Sequence, residues 1–206
     1  YADGEHPVGW LVEEHAARVH RHGCVQNGAY ALLLRGNKHM PCLPPLRDFV
    51  LQFDCHGDPG VTEVSVYVFW RYNPETMTGY FLKRFWTRQT ASTEFGVVQN
   101  NVPLVMDKHL AAAGFTADPA GTENRLRLEV RGDAFALYHN DVAAGVFKDA
   151  TQAINCAGQI AFDRPHARAP DRGALLLKNL SVFADESVEC QTLVAPLSVL
   201  FPADYN

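Results

Sequence analysis

Short runs in which apolar and polar residues alternate dominate the sequence, and long helical patterns are almost absent. The run 48–54 places Phe49, Leu51 and Phe53 on one face and Asp48 and its polar neighbours on the other. A period of two is what a half-buried β-strand requires, because successive side chains point to opposite faces of a sheet. The pattern therefore predicts a protein built from strands.

Further strands are predicted wherever the same period recurs, in the segments 29–35, 61–71, 79–88, 158–162 and 175–183. We interpret the runs 61–71 and 79–88 as one β-hairpin, because Asn73-Pro74 and Gly79 mark a turn between them. A second hairpin is predicted over 124–140 around the tight turn Gly132-Asp133. Another turn follows at Asn140-Asp141.

One segment has a helical pattern. The run LVMDKHLAAA is short and moderately amphipathic, and it predicts a short helix near 104–113. No internal repeat or shift in composition divides the chain before residue 184. We therefore expect one domain over 1–183, an all-β antiparallel β-sandwich of the jelly-roll kind. The segment 184–206 is expected to be a C-terminal extension that packs on this domain or leads to a further one.

Composition and charge narrow the classes of function. The 206 residues include 18 Lys and Arg against 23 Asp and Glu, a formal net charge of −5. This balance argues against nucleic acid as a partner, since phosphate binding needs a basic surface. No apolar run approaches the roughly 20 residues of a membrane helix, so we expect no membrane partner.

The number and spacing of the cysteines bear on metal binding and on the cellular compartment of the protein. None of the five is spaced as CxxC, which disfavours a zinc knuckle. Scattered thiols slightly favour a cytoplasmic location, with secretion and one or two disulfides left open as alternatives. The chain begins at Tyr1 without a Met, and we expect it to be a piece of a longer protein.

The second half carries an ordered set of motifs. These are NRLRLEVRGDAFALYHN at 124–140, GQIAF at 158–162 and GALLLKNLSV at 173–182. In this order they resemble the concanavalin A-like (laminin-G-like) jelly-roll superfamily. Within it they are most similar to 3-keto-disaccharide hydrolase domains and to sandwich modules of glycan-processing enzymes. Gly9-Trp10, the run 46–54 and Gly79-Tyr80 match more loosely. Asn140-Asp141 stands where the family has Asn-Gly.

The resemblance implies three functional hypotheses, because this fold hosts binders, hydrolases and structural modules. The first is a carbohydrate-binding sandwich, a module or domain of a carbohydrate-processing protein. The second is a glycoside hydrolase or lyase acting on 3-keto glycosides. The third is a structural or oligomerisation domain. The expected partner is carbohydrate, and a neighbouring catalytic domain or a homo-oligomer are further alternatives.

The candidate binding surface is an aromatic and basic set on the hairpin 61–88. Sugars present CH faces to aromatic rings and hydroxyls to charged groups. Val64, Val66 and Val68 supply a core face, which leaves the opposite face of their strand for a groove. The candidate substrate-binding residues are Tyr67, Arg71, Tyr80, Arg84, Trp86 and Arg88. The alternative is that the aromatic side chains fill the core and the arginines lie at its rim.

The candidate catalytic groups are Glu63, His20 and His22. No E-x-D-x-E-like run is present, which disfavours the paired carboxylates of a retaining glycosidase. A keto group acidifies the neighbouring C–H, so a single His or Glu base could start an elimination. Glu94 and Asp54 remain as isolated carboxylates. The two histidines would share one face of a strand, a geometry that also suits a metal ion or proton transfer.

The resemblance also implies a structural calcium ion, which this superfamily often holds with carboxylate and carbonyl oxygens. The candidate ligands near predicted strand ends are Asp54, Asp58, Asp163 and Asp185. Turn-forming aspartates are the alternative interpretation.

Overall fold

The computed structural model describes the residues 10–12, 23–26, 29–32, 38–41, 43–111, 117–120, 124–163, 175–184 and 192–193. These residues form fifteen β-strands, and no helix occurs among them. These ranges therefore contain no helix that is long and apolar enough to cross a membrane. The strands pair antiparallel and form two sheets, which confirms the predicted all-β sandwich.

The first sheet, sheet A, has seven strands. In spatial order they are β1 (Trp10–Val12), β4 (His39–Pro41), β13 (Gln159–Asp163), β6 (Glu63–Asn73), β7 (Thr78–Thr87), β8 (Ala91–Gln99) and β9 (Val102–Leu110). The predicted hairpin 61–88 is confirmed as β6 and β7. The alternation in β8, although regular, was not among the predicted strands.

The second sheet, sheet B, has eight strands. In spatial order they are β12 (Val142–Lys148), β11 (Ala134–His139), β10 (Arg125–Arg131), β5 (Phe49–Gly57), β14 (Leu175–Ala184), β3 (Ala29–Leu32) and β2 (Gly23–Gln26), with β15 (Thr192–Leu193) also paired to β14. The predicted hairpin 124–140 is confirmed as β10 and β11. Apart from Ala184 and β15, the predicted extension 184–206 lies outside the described residues.

The core lies between the two sheets and is rich in aromatic side chains. Phe53 of sheet B meets Phe162 of sheet A edge to face, with ring centroids 5.2 Å apart. Trp70 of sheet A meets Phe135 of sheet B in the same way at 5.1 Å. These side chains are at most 1% exposed, and contacts of this kind across the gap hold the sheets together.

The helix predicted near 104–113 is wrong, because β9 occupies residues 102–110 and pairs with residues 92–99 of β8, with one register shift after Phe95. Asn100 and Asn101 connect the two strands, with φ angles of 49° and 65°. Two consecutive positive φ angles make the two-residue turn whose twist matches a hairpin. An isolated helix of ten residues is marginal in water, whereas β8 offers hydrogen-bond partners over the full strand. Residues 112–113 lie outside the described part of the chain.

A β-bulge in β6 sets which face of β7 is buried. Arg71 and Tyr72 both lie opposite the single residue Gly79, and beyond them Trp70 pairs with Tyr80. Arg71 has a φ of 47°, in the left-handed region that side chains rarely occupy. A shift of register by one residue moves every side chain of a strand to the other face. The bulge therefore decides which residues of β7 enter the core.

Candidate functional site

Four of the six predicted binding side chains lie inside the sandwich. Arg71, Tyr80, Arg84 and Trp86 are each at most 2% exposed. In the β6–β7 register, Trp86 lies opposite Val64, and directly opposite residues share a face of the sheet. Val64 faces the core, so its partner does too. The predicted outward orientation is therefore wrong for these four side chains, and the alternative in which the aromatic residues fill the core describes Tyr80 and Trp86.

Arg71 ties one end of sheet A to the loops around it. Its Nε donates to the carbonyl of Arg47 at 3.1 Å, and its Nη1 donates to the carbonyl of Ile154 at 2.8 Å. Its Nη2 donates to the carbonyl of Gly132 at 2.6 Å and to the Asp48 carboxylate at 3.1 Å. All these groups belong to the protein, so the guanidinium has a structural role.

Arg84 lies at the centre of a buried hydrogen-bond network. Its Nε donates to His139 Nδ1 at 3.2 Å, and its Nη1 donates to the Thr93 hydroxyl at 2.9 Å. His139 Nε2 lies 3.2 Å from Asn124 Oδ1 and donates to it in the neutral tautomer that this pattern requires. Burial, then the charge of Arg84, lowers the pKa of His139 to about 3. Burial lowers the pKa of Arg84 to about 10.

Tyr80 is fixed by hydrogen bonds at its hydroxyl. The hydroxyl donates to Asp149 Oδ2 at 2.6 Å and accepts from the Ile154 amide at 3.1 Å. Burial and the bond to Asp149 raise the pKa of Tyr80 to about 12. The phenol therefore stays neutral and joins sheet A to the loop after β12.

The other two predicted binding residues reach solvent, but they are not neighbours. Arg88 follows the end of β7, and its side chain is 74% exposed and 3.4 Å from the Asp118 carboxylate. Tyr67 lies in the middle of β6 and is half-buried on the outer face of sheet A, the face turned away from sheet B. Of the six predicted residues, Tyr67 is therefore the one that lies on the outer face of sheet A, and this face is the candidate site.

Five polar side chains form a row across this outer face, one on each of five neighbouring strands. From β13 to β9 they are Asp163, Tyr67, Lys83, Glu94 and Lys108, each directly opposite the next. We call this set the polar row. Neighbouring strands lie about 4.8 Å apart, so the row spans roughly 19 Å. The other four members, Lys83, Glu94, Lys108 and Asp163, were not among the predicted binding residues, because only the strand register brings them together.

Aromatic rings flank the polar row on both sides. On one side Phe69 and Phe81 are buried, with ring centroids 5.6 Å and 5.7 Å from that of Tyr67. On the other side Phe85 is half-buried, and its register partners on β6 and β8 are both serines. The outer face therefore combines hydrogen-bonding groups with apolar ring surface.

Neighbouring charges in the polar row shift the pKa values of Glu94 and Tyr67. Glu94 accepts hydrogen bonds from Lys108 at 2.8 Å and Lys83 at 3.3 Å. Burial alone raises the pKa of Glu94, but the two ammonium groups outweigh it and hold that pKa below its usual range. Burial, then the charges of Glu94 and Asp163, raises the pKa of Tyr67. At neutral pH Glu94 is therefore ionised and the phenol of Tyr67 is neutral.

Of the predicted catalytic groups, Glu63 lies on the same outer face, half-buried at the start of β6. His20 and His22 lie outside the described residues. Glu63 is separated from the polar row by one residue of the same face, Ser65.

Two of the four candidate calcium ligands, Asp54 and Asp163, have other places in the structure. Asp54 accepts hydrogen bonds from Arg125 at 3.2 Å and Asn179 at 2.6 Å. Asp163 belongs to the polar row, and Asp185 lies outside the described residues. Within the described ranges, no three His, Cys, Asp or Glu side chains are grouped so that they could hold a metal ion.

Three solved structures with the same architecture are named for their action on carbohydrate or their binding to it. The carbohydrate-binding module CBM66 from Bacillus subtilis matches with a TM-score of 0.63 at 14% identity, over 88% of this chain and 99% of that one. The β-glucanase of Bacillus licheniformis matches with a TM-score of 0.59 at 11% identity, over 88% and 95%. The carbohydrate recognition domain of Emp47p matches with a TM-score of 0.54 at 10% identity, over 87% and 90%.

These likenesses show the fold, a concanavalin A-like jelly-roll sandwich. At such low identity they leave function open, since the fold hosts binding modules, hydrolases and lectin domains alike. No protein-family model matches the sequence, and no curated protein matches it.

Proposed function

We propose that this sandwich binds carbohydrate on the outer face of sheet A. The observation that supports the proposal is the polar row of Asp163, Tyr67, Lys83, Glu94 and Lys108 beside the half-buried ring of Phe85. Sugar hydroxyls take both donors and acceptors, and the row supplies ammonium, phenol and carboxylate groups in alternation. Sugar CH faces pack on aromatic rings, which Tyr67 and Phe85 provide.

The shape of the row suggests how a glycan lies on it. The five side chains cross the strands along a line of roughly 19 Å, given the spacing of strands in a sheet. A line of donors and acceptors of this length suits several consecutive sugar units of a linear glycan better than one terminal unit. Because the carboxylates and ammonium groups alternate, the surface suits a neutral glycan.

Isothermal titration of the wild-type chain against a panel of neutral linear glycans tests the proposal. Truncating a ring in a binding site costs more than 1 kcal/mol where the ring is an anchor. We therefore expect Tyr67→Ala and Phe85→Ala each to weaken the best ligand about tenfold or more. The matched control is Tyr138→Ala, because Tyr138 is a half-buried aromatic on the outer face of sheet B.

Two results would count against the site. Affinity that survives both Tyr67→Ala and Phe85→Ala would place any glycan elsewhere. The absence of heat with every glycan, for a chain whose circular dichroism shows intact sheets, would argue against carbohydrate binding itself.

A second candidate is glycan cleavage, and the carboxylates on the outer face favour it. Glu63 is half-buried on the same face as Glu94 and Asp163. In a 3-keto glycoside the keto group acidifies the adjacent C–H. A carboxylate base can take that proton, and the electron pair of the C–H bond forms a C=C bond as the glycosidic C–O bond breaks. Two lysines hold the pKa of Glu94 low and so make it a weaker base, and we therefore assign the role of base to Glu63.

Incubation with a 3-keto glycoside tests this second candidate. We expect release of the leaving sugar by the wild-type chain and its loss in Glu63→Gln, with glycan binding retained in the variant. No release by the wild-type chain, or equal release by the variant, would remove Glu63 from the proposal.

A further inference from the structure

A second row of side chains lies beside the polar row on the outer face of sheet A. From β6 to β9 its members are Ser65, Phe85, Ser92 and Leu110, each directly opposite the next. Each member lies two residues from a member of the polar row on its own strand, a separation of about 7 Å. The two rows therefore run side by side, and small and large side chains alternate along the second one.

The small side chain of Ser92 lies between two large apolar side chains. Phe85, on β7, is half-buried, and Leu110, on β9, is 76% exposed. The strands β7 and β9 are two sheet spacings apart, about 10 Å. A serine side chain extends less far from the sheet than a phenylalanine or a leucine, so the surface is lower at Ser92 than on either side. We call Ser92 with its neighbours Phe85 and Leu110 the serine depression.

The ion pair of Glu94 and Lys108 borders the serine depression on the side of the polar row. Lys108 Nζ donates to Glu94 Oε1 at 2.8 Å, and the Lys108 side chain is 52% exposed. An ammonium group has three donors and a carboxylate has about four lone-pair positions, so both groups can bind a ligand while they stay paired. The register between β8 and β9 is regular from Ser92 to Phe95, which keeps these side chains on one face.

The serine depression and the adjoining ion pair match the chemistry of an acetamido group. Such a group has one N–H donor, one carbonyl acceptor and a methyl group that prefers apolar surroundings. The Glu94 carboxylate can accept from the N–H, and the Lys108 ammonium can donate to the carbonyl. The methyl group can pack between Phe85 and Leu110. A sugar hydroxyl would use the polar groups but would leave the apolar surface of Leu110 in water.

We propose that the serine depression binds the acetamido group of a 2-acetamido sugar, so that the ligand of this face is a glycan that contains such units. The proposal rests on the proposed function, because the polar row holds the rest of the glycan. An acetamido group is uncharged and therefore agrees with the alternating charges of the row. The depression lies between β7 and β9, so the unit bound at this end of the row determines the specificity.

Isothermal titration of the wild-type chain with two matched oligosaccharides gives the first test. Linear β-1,4-linked oligomers of N-acetylglucosamine and of glucose, equal in length, differ only in the group at C2 of each unit. A site built for a polar group loses about tenfold or more in affinity for an analogue that lacks it. We therefore expect the acetylated oligomer to bind at least about tenfold more tightly. Equal affinity for the two oligomers, or no binding of the acetylated one, would overturn the proposal.

The variant Leu110→Ser gives the second test, because it removes one apolar side of the serine depression and leaves the polar row intact. It should weaken the acetylated oligomer at least about threefold, the value of one buried methyl group, and leave the glucose oligomer unchanged. The matched control is Leu104→Ser. Leu104 lies on the same strand but opposite the core residue Val97, and it is 48% exposed. A preference for the acetylated oligomer that is the same in Leu110→Ser as in the wild type would overturn the proposal.

Saturation-transfer NMR of the wild-type chain with the acetylated oligomer gives a third test that needs no variant. The acetyl methyl protons should receive more saturation than the protons of the sugar ring, because the methyl group packs between two apolar side chains. Less saturation of the methyl protons would overturn the proposal. A chain that binds another neutral glycan through Tyr67, but shows no preference for acetamido groups, would keep the proposed function and lose this inference.

Discussion

At the scale of single residues, two glycines make room for the bulge in β6. A Cβ on Gly79 would stand 2.9 Å from the Cα of Tyr72, and a Cβ on Gly158 would stand 2.4 Å from the carbonyl carbon of Arg71. Backbone atoms are the ones that would have to move in both cases. The bulge therefore depends on the absence of a side chain at Gly79 of β7 and at Gly158, directly before β13.

Gly158→Ala should destabilise the protein by about 2 kcal/mol, the usual cost of overpacking a tight interior. Urea unfolding measures the loss. Ala157→Ser is the control, because the neighbouring residue is exposed and should change the free energy of unfolding by less than about 0.5 kcal/mol. Equal stability of Gly158→Ala and the wild type would show that the bulge can relax around a methyl group.

His139 should make the protein sensitive to acid. Its pKa is about 3 when folded, against 6.5 for an ordinary histidine, so between these values the unfolded chain binds a proton that the folded chain excludes. The stability that His139 contributes is therefore present above pH 6.5 and is lost as the pH falls toward 3. The loss from this one residue is about 1.4 kcal/mol for each pH unit within the window.

Urea unfolding of His139→Gln across the same window checks this linkage. Glutamine can accept from Arg84 and donate to Asn124, but it does not titrate. The free energy of unfolding of the variant should therefore fall less steeply with acid than that of the wild type. Parallel pH profiles for the two proteins would contradict the assignment of His139 as a neutral buried base.

At the scale of elements, Arg71 connects β6 to segments distant in the sequence. Its guanidinium holds the carbonyls of Arg47, Gly132 and Ile154 together with the Asp48 carboxylate. Those groups lie before β5, in the β10–β11 turn and before β13. One side chain therefore fixes the relative positions of three connections at this end of the sandwich.

Arg71→Met should cost about 3 kcal/mol of stability, because it leaves three partly buried carbonyls without this donor and removes the charged partner of Asp48. Thermal or urea unfolding gives the value. The control is Arg47→Ala, since the Arg47 side chain is 51% exposed and only its carbonyl contacts Arg71. If both variants lost the same small amount, the guanidinium would not connect the loops in solution.

At the scale of the whole molecule, both sheets share one core. Trp70 and Trp86 are fully buried in it, and the core contains side chains from both sheets. A second, smaller apolar cluster lies on the outer face of sheet A and includes Phe69, Tyr72 and Phe81. Because the two sheets share the main core, loss of packing in one sheet also removes the packing of the other.

Unfolding should accordingly be a single cooperative transition. Tryptophan fluorescence, to which the buried Trp70 and Trp86 contribute, and far-ultraviolet circular dichroism, which reports the strands, should give the same urea midpoint. Midpoints that differ would show that one sheet, or the outer cluster, unfolds separately from the rest.

Much of this fold could be predicted from the sequence because alternation and turn chemistry are local. Three predicted features form as expected: the strand in 48–54, the hairpin in 124–140 and the turn at Asn140-Asp141. Each of them depends on the pattern of a few neighbouring residues. The turn at Asn100-Asn101 carries the same kind of signal, and its consecutive asparagines could have identified the hairpin of β8 and β9.

The candidate site could be predicted only in part, because it depends on register. Tyr67 faces outward as its strand pattern requires, but Tyr80, Arg84 and Trp86 do not share that face. Without the extra residue in β6, Lys83 and Phe85 would have faced the core in their place. The hydrogen-bond partners of Arg71 come from other parts of the chain. The sequence around Arg71 therefore gives little indication of the bulge.

The sequence by itself determined that this chain folds as antiparallel strands and where many of its turns lie. The tertiary structure alone decided which face of β7 enters the core, which five side chains form the polar row, and that 104–110 is a strand. Alternation along a strand is a local property, whereas the choice between its two faces depends on contacts with residues far away in the chain.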